Sequence, residues 1–70
     1  MLNKTKLKAV IALNKDSQNE LADRLGITVT TLSLKMNGKN QFKPSEIYYI
    51  KKCYNLTAKE LDEIFFATED

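Results

Sequence analysis

At 70 residues the chain is near the lower limit for burying a useful core without staples, which holds it to a single domain over 1–70. Its 43% apolar and 29% charged content is ordinary for a globular protein, and no apolar run reaches the roughly 20 residues that a membrane span requires. The formal charge is +2, histidine is absent, and the lone Cys53 excludes an internal disulfide.

Two glycines and one proline among abundant Leu, Lys, Ala, Ile and Glu predict an all-α chain, and five helices are legible from their start signals. Asn3 caps the first, with Leu2 and Leu7 as a hydrophobic staple and Leu7, Val10, Ile11 and Asn14 at helical spacing. Asn14-Lys15-Asp16 reads as a break, because asparagine tolerates the left-handed conformation at a helix end. Ser17 and Glu20 form a capping box for the second helix, whose inner stripe is Leu21, Ala22 and Leu25. Gly26 ends that helix, since it adopts positive φ without steric cost. Ile27 then turns inward and Thr28 caps the third helix, with Ile27 and Leu32 as a second staple.

The third helix runs to about Met36 and stops at Asn37-Gly38. With Leu32 at the centre of its buried side, Met36 lies one turn on and Val29 one turn back, while Thr30, Ser33 and Leu34 point away. Lys39 to Lys43 make a polar loop with Phe42 plugging the core. Pro44 opens the fourth helix where its missing N–H costs nothing; Ile47, Ile50 and Cys53 or Tyr54 face inward, and Asn55 ends it. Thr57 and Glu60 repeat the capping box with Leu56 and Leu61 as staple, and the last helix buries Leu61, Ile64 and Phe65.

Charge is unevenly distributed along this order. Residues 1–55 hold ten Lys/Arg against four acids, a net of +6, whereas residues 56–70 hold one lysine against five acids, a net of −4. A basic body with an acidic end is the pattern of a polyanion-binding face and a distal face. Catalysis has little support: there is no histidine, no metal-spaced cluster and no phosphate-cradling glycine loop. Glu60, Asp62 and Glu63 are explained by capping and solvation, and Cys53 reads as a small core residue. The expectation is a non-enzymatic chain with no metal and no cofactor. Lys4, Lys6 and Lys8 interleave with Leu7, Val10 and Ile11 without a cleavage site, so a signal peptide is not expected and the cytoplasm is the default location.

The segment from Gln18 to Gly38 resembles the helix-turn-helix of the phage-repressor and Cro family, also called the XRE type, with the motif itself over about 17–36. The resemblance is carried by Gln18, by Leu21-Ala22 on the inner side, by Leu25-Gly26-Ile27 at the turn, by Leu32, and by Asn37-Gly38-Lys39 beyond. Each has a physical reason: Ala22 is small where the third helix crosses, Gly26 turns the chain sharply, and Ile27 and Leu32 lock the two helices at a fixed angle. The flanking helices follow the family's order, which implies a compact five-helix, lambda-repressor-like DNA-binding domain. Two positions depart. Lys35 stands where the family carries a buried aliphatic, and Leu34 where a polar or basic reader is common. Either the last turn is rotated to bury Met36, or Lys35 lays its stem on the core and sends its ammonium to a phosphate.

The resemblance implies that the third helix lies in the major groove of double-stranded DNA. Carried over by position, the base-facing residues are Thr28, Val29, Thr30, Ser33 and Leu34, and the phosphate contacts are Gln18, Lys35, Asn37, Lys39, Asn40 and Lys43. None of the base-facing residues is Arg, Gln or Asn, so Val29, Leu34 and the Thr30 methyl are suited to thymine methyls, with hydroxyls bonding singly. One such domain covers a half-site, so a homodimer on a palindromic operator is expected, with Tyr48, Tyr49, Leu56 or Phe66 at its interface. The function implied is a short Cro-like phage or prophage repressor. The alternative is a protein-interaction module, such as an antitoxin or an antagonist of another regulator, for which the acidic last helix and exposed aromatics would serve.

Overall fold

Four of the helices begin at a side-chain oxygen that accepts an amide hydrogen left over from the first turn. In a computed structural model, which describes residues 2–66, Asn3 Oδ1 accepts from Lys6 N at 3.0 Å and opens α1 (Lys4–Leu13). Ser17 Oγ accepts from Glu20 N at 3.1 Å and opens α2 (Gln18–Leu25). Thr28 Oγ1 does the same for Thr31 N at 3.1 Å at the start of α3 (Val29–Met36). Thr57 Oγ1 takes Glu60 N at 3.1 Å and the Glu60 carboxylate returns to Thr57 N at 2.9 Å, a complete capping box for α5 (Ala58–Phe65). The Ser17 box closes differently, because Ser17 N donates to Asp16 Oδ1 at 2.9 Å and leaves Glu20 to accept from the Ser17 hydroxyl at 3.2 Å. Only α4 (Pro44–Cys53) lacks a capping oxygen: Pro44 removes one orphan amide, and the Glu46 carboxylate accepts Lys43 N at 2.8 Å.

Helix ends follow the same logic with one correction. Gly26 takes φ +75° and Gly38 φ +79°. After α1 the left-handed residue is Lys15 at φ 54°, not Asn14, whose amide instead donates to the Val10 carbonyl at 2.8 Å. Asn55 at φ 53° ends α4 as expected.

The described residues therefore form an all-α bundle of five helices with no strand. Each helix sends one side chain to its centre, and Leu7, Leu21, Leu32, Ile50 and Ile64 are all fully buried. α2 packs most closely on α3, and α1 on α5, where Asn3 N donates to the Ile64 carbonyl at 2.6 Å. Phe42 is half-buried and meets Phe65 edge-on, with ring centroids 5.3 Å apart. Two expectations fail here. Cys53 is exposed and Tyr54 takes the inner position in its place. Leu56 is buried with the core, which removes it from the expected dimer surface. Glu69 and Asp70, part of the acidic end, lie outside the described residues. Among the described residues no helix is long and apolar enough to cross a membrane.

Candidate nucleic-acid interface

The joint between α2 and α3 places everything else. Ala22 is 1% exposed where the helices meet, so any larger side chain would push them apart. Behind it, Ile27 N donates to the Ala22 carbonyl at 3.0 Å and Gly26 N to the Asp23 carbonyl at 3.1 Å, which closes the α2 end and directs the chain into α3. Leu32 and Met36 hold the inner side of α3 in the core.

The outer side of α3 is presented to solvent. Thr28, Val29, Thr30 and Leu34 are exposed and Ser33 is half-buried, so the five positions expected to face bases share one open surface. Their polar groups are unequally available. The Thr28 hydroxyl accepts Thr31 N and donates to Thr31 Oγ1 at 2.9 Å, so its capacity is engaged within the helix. Ser33 Oγ accepts a long bond from Asn37 Nδ2 at 3.4 Å.

The phosphate set divides. Gln18 stands half-buried at the first position of α2, where free amides and the helix dipole favour an anion. Lys39, Asn40 and Lys43 are exposed in the loop beyond α3, and no hydrogen bond or ion pair engages their side chains among the described residues. The loop is pinned to the helix by its backbone, since Lys39 N and Asn40 N both donate to the Leu34 carbonyl, at 2.9 and 3.3 Å. Asn37 is exposed but occupied: its Oδ1 accepts from Lys4 Nζ at 2.5 Å. That contact brings a lysine from α1 to the C-terminal end of α3. Lys4 has no signal in the motif, because the two partners lie 33 residues apart.

Lys35 leaves the set. It is 6% exposed, its stem lies in the core beside Met36, and its ammonium bonds the buried Glu46 carboxylate at 2.5 Å and faces the Phe42 ring at 5.9 Å. The expected stem placement is present, but the charge is directed inward to a partner on α4 and not outward to phosphate. Burial pushes the Glu46 carboxyl up; the Lys35 hydrogen bond, the Lys43 amide and the Lys35 charge outweigh it and hold the group below its ordinary value.

A second polar cluster supports the entry to α2. Tyr54 donates to Asp16 Oδ2 at 2.7 Å, Arg24 ion-pairs with the same oxygen, and Ser17 N donates to the other. The Tyr54 hydrogen bond, with the Ser17 amide and Arg24, holds the Asp16 carboxyl below its usual range against burial, while burial and Asp16 push the Tyr54 hydroxyl up. Tyr48 is 60% and Phe66 57% exposed, with Lys52 over the Tyr48 ring at 5.4 Å; Phe66 lines a cavity shared with Met36 and Asn37 at the end of α3.

Among the described residues no group of three His, Cys, Asp or Glu side chains is placed to hold a metal ion. No family model, curated protein or solved structure matches the chain.

Proposed function

We propose that the chain is a sequence-specific DNA-binding regulator of the phage-repressor and Cro type, acting as a homodimer on a palindromic operator and repressing by occupying it. The observation that carries this reading is the open outer side of α3, flanked by the unengaged ammonium groups of Lys39 and Lys43 while its inner side is locked to α2. In the major groove, Val29, Thr30, Ser33 and Leu34 face base edges. Gln18, Lys39, Asn40 and Lys43 hold the backbone, joined at the end of the helix by Lys4, which Asn37 positions. The chemistry asks for no cofactor, and the target places the protein in the cytoplasm with the nucleoid.

A second reading has its own observation: Tyr48 and Phe66 are exposed aromatics that suit a protein partner, whether a second copy or another regulator. Titration of the chain against a random duplex pool at several salt concentrations separates the two. Retained sequences with affinity falling steeply with salt support the regulator. Absence of any DNA affinity together with tight binding to a protein overturns it.

A further inference from the structure

Resting on the DNA-binding reading, we infer that the outer side of α3 recognises C5-methyl groups of pyrimidines, so that 5-methylcytosine stands in for thymine at the contacted positions and uracil does not. Two of the three hydroxyls on that surface make hydrogen bonds within the protein. Thr28 uses its hydroxyl as both donor and acceptor toward Thr31, and Ser33 Oγ accepts from Asn37. Toward solvent the surface presents Val29 and Leu34, each 41% exposed, and Thr30, which carries a methyl beside a single hydroxyl.

No side chain on this surface supplies the paired donors and acceptors that read guanine or adenine in the major groove. Guanine and adenine are read through paired donors and acceptors, which the single hydroxyls of Thr30 and Ser33 do not supply. A C5-methyl is the one feature of the groove that Val29 and Leu34 complement, and cytosine methylated at C5 projects its methyl from the same ring position as thymine. Thr30 and Leu34, four residues apart, are separated by about 6 Å along the helix axis, close to two base-pair steps of roughly 3.4 Å. Two methyls set two base pairs apart therefore fit one helical turn. Lys39 and Lys43 supply attraction that is blind to sequence, so discrimination falls to these apolar contacts. Cytosine methylation becomes an input to binding: it creates contacts at a C·G pair that the unmodified pair lacks.

The test uses the full chain and an operator recovered from a random duplex pool, resynthesised with T, U, C or 5-methylcytosine at each position under α3. Affinities are read at fixed salt and across a salt series. Replacing T by U at a contacted position is expected to weaken binding about fourfold, the value of one buried methyl, and methylating C there to strengthen it by a similar factor. Leu34→Ala should erase the T/U difference at one position and leave the salt dependence intact; Leu34 is exposed, so this variant folds. A specific, salt-sensitive operator bound equally well with U as with T overturns the methyl inference while the DNA-binding reading stands, as do operators with guanines under α3. Failure to retain any duplex overturns both.

Discussion

Lys35 carries a positive charge into the core because Glu46 meets it there, and Glu46 is held in turn by the Lys43 amide. Such a pair is weak evidence of stability as a whole, but breaking it leaves one buried charge without its partner. Lys35→Met is expected to destabilise the fold by about 3 kcal/mol at neutral pH, measured by urea denaturation. The double variant Lys35→Met/Glu46→Gln, which keeps an acceptor for Lys43, should recover most of that. The pH dependence is diagnostic. In the native chain Glu46 lies below its ordinary value of 4.5, so its contribution is present above that pH and lost as pH falls. Without Lys35, burial dominates and the sign reverses: the deficit is largest at neutral pH and shrinks on acidification.

Tyr54 gives a second residue-scale test. Tyr54→Phe removes the main influence lowering the Asp16 carboxyl, at an expected cost of about 1–2 kcal/mol, and moves acid unfolding to higher pH. The native Tyr54 hydroxyl is raised above its ordinary 10.0, so its contribution is complete below that pH and declines above it; the variant lacks this alkaline loss. The anomaly at Lys35 was legible in the sequence as a charge at a core position. Its destination was not, since Glu46 lies 11 residues away on another helix.

Among the elements, α3 depends on its cap more than its sequence pattern implies. The helix is only eight residues long, below the length at which helices are stable alone, so its first turn relies on Thr28 and its remainder on packing. Thr28→Ala is expected to cost about 1 kcal/mol of stability. Because the hydroxyl is committed to Thr31, this change should weaken DNA binding evenly across operator sequences, without altering base preference, as read by pool selection with the variant. The turn before it disfavours an ordinary side chain for a different reason. A Cβ at Gly26 would meet nothing within 4 Å, so the objection to substitution is the backbone at φ +75° and not crowding. Caps and turns were readable because each is a local contract between residues three or four apart. The break after α1 falls within Asn14-Lys15-Asp16 as expected, but the left-handed conformation is taken by Lys15, while the Asn14 side chain donates to the Val10 carbonyl.

For the molecule as a whole, the radius of gyration of 11.1 Å matches the roughly 11 Å expected of a folded chain of this size, so the five short helices share one core. α1 and α5 close that core through the Asn3–Ile64 backbone bond and the Lys6–Glu63 ion pair at 2.5 Å, which sets the Glu63 carboxyl below its usual value. Charge then acts at long range. Lys39→Gln and Lys43→Gln are each expected to reduce the salt slope of DNA binding by about one unit and leave the preferred operator unchanged. Lys59→Gln, in the acidic last helix, should leave the slope as it was. A substitution at Lys39 that changed the selected operator while preserving the slope would contradict its assignment to the backbone.

The five helices, their caps, the glycine joint and the open side of α3 were legible in the residues alone, because these follow from interactions spanning a turn or two and from a hydrophobic period that each helix carries alone. Tertiary structure decided which polar groups stay available. Lys35 was drawn into the core by Glu46, Asn37 was tied to Lys4, Tyr54 displaced Cys53 from the inner position, and Leu56 was covered. Those outcomes depend on partners brought together only when the helices pack, where a buried charge must find its counterpart or remain in water.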